Sequence, residues 1–259
     1  MKKIKQIGKQ LLRKFLGWFK LDVTHTFFVP ENDALIQREF TELYATVKPY
    51  TEASLERSYA LFKAVEYISK NNIPGSFVEC GVANAGSAMI VAKTLVQLHD
   101  TDRDIYLYDT YEGMPAPSDH DHLDGKTPEH MKRIWENTTD EQGEKNWMRY
   151  SIEQVKSNME STGYRMDRIH FVKGMVEHTI PDTLPKETAL LRLDTDFYES
   201  TKHELKHLYP TLSVGGVLLL DDYGTWMGEK KAVDEYFNNR PLLLNRVDRD
   251  GRIGVKITD

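Results

Sequence analysis

A chain of 259 residues, 40% of them hydrophobic and 29% charged, can build one substantial core and has the composition of an ordinary soluble protein. No apolar run approaches the roughly 20 residues that a membrane span requires, and the single cysteine, Cys80, excludes an internal disulfide or a multi-thiolate zinc site and fits a reducing, cytoplasmic setting. The net charge of −6 is uneven: residues 1–20 hold seven Lys or Arg and no acid, which leaves the rest of the chain near −13 and disfavours nucleic acid as a partner.

In residues 1–21 the apolar positions Ile4, Ile7, Leu11, Phe15 and Trp18/Phe19 recur every three or four residues, while Lys2, Lys5, Lys9, Arg13 and Lys20 fall largely elsewhere. This pattern predicts a basic amphipathic helix, able to lie peripherally on an anionic membrane such as the inner face of a plasma membrane, or to pack on protein. The segment lacks the continuous apolar centre and cleavage site of a secretory signal. Residues 22–50 read as a linker and N-terminal extension, and 51–259 as the main domain.

Within that domain, residues 54–72 have helical spacing and "IPG" stops the helix. "SFVEC" (76–80) is a strand, followed by the glycine-bearing turn "GVANAGS" and a helix over about 86–98. "DIYLYD" (104–109) is the next strand. Residues 110–150 turn polar, with Pro115, Pro117 and Pro128 and an acidic, His-bearing "SDHDHLDG", and read as a long, partly helical lid. Strands follow at 169–173, 188–194 and 215–222, with helices between and after them. "LLLNRVDRDGRIGVKIT" closes the chain as an antiparallel hairpin turning at 248–251. Strands alternating with helices specify an α/β fold: a mostly parallel seven-stranded sheet with helices on both faces and a C-terminal hairpin.

Ligands of such sheets bind beyond the carboxyl ends of the strands. Those ends carry Glu79 and Gly81, Asp109, Gly174, Asp194, and Asp221 with Asp222. Five strands thus bring acid or glycine to one rim. Glu79, Gly81 and Gly86 shape a tight turn before a helix, and Asp109 is placed to accept hydrogen bonds from ribose hydroxyls. "GVANAG" lacks the dinucleotide spacing and the Lys-Ser/Thr pair of a phosphate loop, so a nucleoside without phosphates, such as S-adenosylmethionine (AdoMet), is the expected ligand. Asp194, Asp221 and Asp222 offer only hard oxygens, which suit Mg²⁺; the competing reading has these acids capping helices or pairing with Arg192 or Lys230. Asp196 is read as a supporting group or a helix cap.

"FVECGVANAGSAM", "LYDTYEGMPAP", "LLRLDTDFYESTKHELKHLYPTLSVGGVLLLDDYG" and "AVDEYF" resemble the macrocin O-methyltransferase (TylF) family over roughly residues 50–240. That resemblance implies a Rossmann-like class I methyltransferase that uses AdoMet and Mg²⁺ to methylate sugar hydroxyls of glycosylated natural products. Carried over by position, it assigns Glu79, Gly81 and Ser87 to the methionine side of AdoMet, Asp109 to the ribose, and Gly174 and Met175 to the adenine. It makes Asp194, Asp221 and Asp222 metal ligands, with Asp194 also the proton acceptor. Thr51 and Arg57 resemble residues that close over the cofactor. Ala83, Asn84 and Ala85 depart from the usual turn.

The expected reaction is therefore methylation of a sugar hydroxyl on a natural product, glycolipid or polysaccharide, by a homo-oligomer. His120 or His122 is the alternative base, and Trp135 and Trp147 are available to stack on a sugar. The rival readings are a metal-dependent hydrolase, which leaves Glu79 and Asp109 without a task, and a non-catalytic scaffold at a membrane surface.

Overall fold

The computed structural model describes residues 21–24, 27–30, 36–139, 146–240 and 242–258. The basic helix expected over 1–21 lies outside them except for Leu21, which opens a strand. The chain divides into two compact units at Glu42–Leu43. In the first, β1 (Leu21–Thr24) pairs antiparallel with β2 (Phe27–Pro30). Helix α1 (Arg38–Val47) follows. The stretch read as a linker over 22–50 thus contains a hairpin and a helix, and Phe40, Leu43, Tyr44 and Val47 supply the helical spacing for the latter.

The second unit alternates strands and helices. After the second half of α1, which the division crosses, come α2 (Leu55–Lys70), β3 (Ser76–Cys80), α3 (Gly86–Gln97) and β4 (Ile105–Asp109). Next come α4 (Pro128–Asn137), α5 (Ile152–Glu160), β5 (Ile169–Lys173) and the short α6 (Val176–Thr179). The last elements are β6 (Thr188–Leu193), α7 (Tyr198–His207), β7 (Leu212–Leu220), α8 (Met227–Phe237), β8 (Asn245–Arg246) and β9 (Arg252–Val255). Local chemistry sets several of these starts. Ser54, Thr127 and Ser151 each accept a backbone N–H at a helix N-terminus, and Pro128 occupies the first turn of α4, where its missing N–H costs nothing.

The seven strands order as β5-β4-β3-β6-β7-β9-β8, with β3 to β7 parallel and the terminal hairpin antiparallel. β6 is buried along all six residues, as a strand covered on both faces must be. Val78, Cys80, Leu191, Leu193, Leu218 and Leu220 share the central core, and truncating a fully buried leucine such as Leu191 to Ala costs about 2–5 kcal/mol. From β3 the chain winds outward through β4 and β5, then returns to the other side of β3 with β6 and β7. The crevice at this reversal lies over the carboxyl ends of β3 and β6.

Candidate active site

That crevice is a cavity of about 590 Å³. All eleven residues assigned from the sequence line it: Thr51, Arg57, Glu79, Gly81, Ser87, Asp109, Gly174, Met175, Asp194, Asp221 and Asp222. Trp147 lines it too, whereas Trp135 donates its indole N–H to the Met114 carbonyl at 3.1 Å and does not. Neither His120 nor His122 is among the lining residues; His120 is exposed beside Lys231, and the ring of His122 meets the Leu123 carbonyl.

The glycine-bearing turn is shaped by contact. Gly81 has φ +80°, and a Cβ there would stand 2.1 Å from the Asp194 carbonyl oxygen. Only glycine allows β3 and β6 to approach so closely at their tips. At Gly86 a Cβ would stand 2.4 Å from Cβ of Thr51, which seats the segment before α2 against the start of α3. Asp109 serves this turn directly. Its Oδ2 accepts from the backbone N–H of Val82 at 2.7 Å and Ala83 at 3.2 Å, and its Oδ1 from the N–H of Tyr111 at 2.6 Å. Asn84, where the sequence departs from the family pattern, is held from α5: Asn158 donates to its side-chain oxygen at 2.9 Å and Gln154 at 3.1 Å.

The acids on the other side surround a buried guanidinium. The parallel register sets Glu79 beside Arg192. Arg192 Nη1 contacts Glu79 Oε1 at 2.6 Å and Asp194 Oδ2 at 2.8 Å, while Nη2 contacts Asp221 Oδ1 at 2.7 Å. Arg57 joins the other oxygen of Asp221 and reaches Asp248 at 3.1 Å on the terminal hairpin. Part of the charge that the sequence reading gave to a metal is therefore neutralised by Arg192, in line with the ion pairing raised there. Burial works against the Arg192 charge, but Asp194, Asp221 and Glu79 outweigh it and hold its pKa above the ordinary guanidinium value.

Two arginines do not balance the group. Asp222 and Asp196 lie close enough to share a hydrogen bond, and Glu229, fully buried, accepts from the N–H of Asp222 at 3.2 Å. Burial, opposed by Arg192, pushes Glu79 up to about 7. Burial, reinforced by Asp194, pushes Asp196 up to about 8. Burial and neighbouring carboxylates likewise raise Asp194, Asp222 and Glu229. Carboxylates that resist ionisation together are what an added cation relieves. Asp194, Asp221 and Asp222 can each offer an oxygen within 4.8 Å of the others, a donor set of hard oxygens that fits Mg²⁺.

A model of the macrocin-O-methyltransferase (TylF) family matches residues 46–253. The chain belongs to this family. It is 33% identical over 208 residues to the demethyldecarbamoylnovobiocin O-methyltransferase of Streptomyces niveus, covering 78% of this chain and 74% of that protein. It is 30% identical to the mycinamicin III 3''-O-methyltransferase of Micromonospora griseorubida, covering 93% and 92%. Among solved structures, the O-methyltransferase NovP superposes with a TM-score of 0.69 at 29% identity, covering 81% of this chain and 83% of that one.

The protein is thus a methyltransferase of the class I fold. Arg192, raised from the sequence only as an alternative partner of the aspartates, is central to the charge balance; its signal was a lone cation in a six-residue strand otherwise without charge. Three further features of the site were not anticipated. Asp196 adopts φ +63°, a backbone conformation no spacing rule reveals. Glu229 and Trp226 arrive from the start of α8 by tertiary packing alone.

Proposed function

We propose that this methyltransferase transfers the methyl group of AdoMet to a hydroxyl of an uncharged sugar, with a divalent cation held by Asp194, Asp221 and Asp222. The observation that carries the reading is the single cavity, which joins the Gly81 turn and Asp109 to the three aspartates and is of a size for a cofactor together with a sugar. The names of the relatives, one of which is an O-methyltransferase of a rhamnosyl-tetracenomycin, support the choice of acceptor.

AdoMet, when bound, supplies the electrophilic methyl group, and Mg²⁺ supplies charge that lowers the pKa of the acceptor hydroxyl. The chain provides the rest. The Gly81 turn, Glu79 and Ser87 receive the methionine end, Gly174 and Met175 flank the adenine, and Asp109 faces the ribose with the lone pairs its backbone partners leave free. Thr51, before α2, and Arg57, in its first turn, close the cavity. Arg192 engages Oδ2 of Asp194 and so fixes the orientation of the carboxylate that would take the acceptor proton. Catalysis is then mainly alignment of the two reacting centres and stabilisation of charge.

The charge of the cavity narrows the acceptor. Its described lining contains ten carboxylates, no Lys or His, and only the arginines 57 and 192, both paired with aspartates. A nucleotide-activated sugar would bring its diphosphate to a wall rich in carboxylates whose two arginines are already paired. An apolar face of Met114, Pro115, Trp147, Phe197 and Trp226 instead suits a sugar ring or an apolar carrier. The test is transfer of labelled methyl from AdoMet to demethylated glycosides and to nucleotide sugars, with Mg²⁺ or with chelator. Labelling of glycosides that chelation abolishes supports the reading. Labelling confined to nucleotide sugars refutes the acceptor class, and turnover indifferent to chelation refutes the metal.

The charge pattern of residues 1–20 supports a peripheral location at the inner face of a membrane. No described helix is long and apolar enough to cross one. Sedimentation with anionic liposomes, against a chain lacking those residues, tests this: equal sedimentation of the two removes the idea.

A further inference from the structure

The acidic, His-bearing "SDHDHLDG" segment contributes neither histidine to the cavity, but it contributes Asp121. This side chain is only 2% exposed. Its Oδ2 accepts from the backbone N–H of Ser118 at 2.8 Å and from the Ser118 hydroxyl at 2.6 Å. Its Oδ1 accepts from the backbone N–H of Tyr198, the first residue of α7, at 2.7 Å. At Gly228, in the first turn of α8, a Cβ would stand 2.2 Å from that same Oδ1 and 2.8 Å from the Tyr198 nitrogen.

One carboxylate therefore holds three segments. Ser118 ends the stretch whose Met114, Pro115 and Ala116 line the cavity. Helix α7 starts four residues after Asp194, and α8 starts five after Asp222. The same junction is stitched by backbone bonds: Asp124 donates to the Thr225 carbonyl and Met227 to the His122 carbonyl, each at 2.9 Å, and Leu123 bridges Trp226. Beyond it, Glu229 donates its N–H to the Asp196 carbonyl at 3.1 Å and accepts from Asp222. A helix cap needs one oxygen; Asp121 uses its second to fix the cavity wall.

We propose that Asp121 is a positioning residue, whose carboxylate locks the acceptor-side wall at Ser118 in register with the two helix starts that follow Asp194 and Asp222. It acts through these segments and not on the reacting atoms. The lock itself is independent of the proposed reaction; only its effect on a bound cation rests on that reading.

The test compares Asp121→Ala, Asp121→Asn and Gly228→Ala in the full chain. Amide hydrogen exchange reads the lock, electron paramagnetic titration with Mn²⁺ reads the aspartates, and calorimetry with S-adenosylhomocysteine reads the opposite end of the cavity. In Asp121→Ala and Gly228→Ala, exchange at Ser118 and Tyr198 is expected to rise about tenfold or more, as for a lost hydrogen bond to a charged acceptor, while β3 and β6 stay protected. Mn²⁺ affinity should fall about tenfold, the usual cost of losing an outer support of a metal site. S-adenosylhomocysteine affinity should hold.

In Asp121→Asn the single amide oxygen can serve only one side, so one of the two amides loses protection and the other keeps it. Unchanged exchange at Ser118 and Tyr198 overturns the proposal, and so does a rise spread evenly over the sheet, which would mark Asp121 as a contributor to global stability alone. Should Asp121→Ala fail to fold, the other two variants give the same readouts. A wild-type protein that takes up neither Mn²⁺ nor S-adenosylhomocysteine refutes the proposed function, and exchange then decides Asp121 by itself.

Discussion

The Arg192 guanidinium stands 2.8 Å from the Asp194 carboxylate, so the strand that delivers the acid also delivers its counter-charge two residues earlier. Both belong to a group in which Glu79, Asp194 and Asp221 share one arginine that is only 6% exposed along its side chain.

Removing that arginine should make the fold depend on divalent cations. Arg192→Leu leaves buried carboxylates uncompensated, at a cost of about 3–5 kcal/mol. For a chain of this size that lowers Tm by about 10 °C. Thermal melts in chelator should show this loss, and millimolar Mg²⁺ should restore part of it, with a larger Mg²⁺-induced shift than in the wild type. A variant that melts like the wild type, or ignores Mg²⁺, contradicts the proposed balance of charge.

Gly81→Ala tests the turn. The left-handed conformation alone costs a side chain about 1–3 kcal/mol, and the added Cβ also meets the Asp194 carbonyl. Calorimetry should show S-adenosylhomocysteine binding weakened by about tenfold or more. Equal affinity in the two proteins would mean that this turn does not shape the cofactor site.

Glu204 gives a pH dependence separate from the aspartates. It is fully buried on α7, with its oxygens 3.0 and 3.2 Å from the Thr195 hydroxyl, and burial pushes it up to about 8. The folded protein then keeps a proton that the unfolded chain releases near its ordinary value of 4.5. Its contribution is fully present below that value and is lost as pH rises towards about 8, a swing on the order of 4 kcal/mol. Glu204→Gln keeps an acceptor for Thr195 and removes the titration. Tm measured from pH 5 to 8.5 should fall less steeply in the variant than in the wild type; parallel curves would contradict an uncharged Glu204.

The strands were legible because β6 and β7 are largely apolar runs ending at acid, and β5 is a short run ending at glycine. "IHFVK" is β5 residue for residue, and the hairpin about 248–251 follows from its turn residues. β7 begins at Leu212, three residues before the strand read from sequence, since Ser213 and the Gly215–Gly216 pair break the apolar pattern at its start. The site residues were legible because strand order sends strand ends to one rim. The role of Asp121 was not, and that of Arg192 only as an alternative to a metal. Arg192 acquires its meaning from the register with β3, and Asp121 from two helix starts that lie about 80 and 110 residues further along the chain, relationships carried by tertiary packing and absent from local pattern.

The most direct measurement concerns the closeness of the two halves of the cavity. AdoMet carrying a ¹³C-labelled methyl group is bound to the protein, and its methyl resonance is followed as Mn²⁺ is added in place of Mg²⁺. Adjacent sites give strong paramagnetic broadening of the bound signal, abolished when Asp194, Asp221 and Asp222 are all changed to Asn. A bound methyl signal that stays sharp while Mn²⁺ saturates the protein, or broadening that survives loss of the three aspartates, would contradict a reaction centred between them.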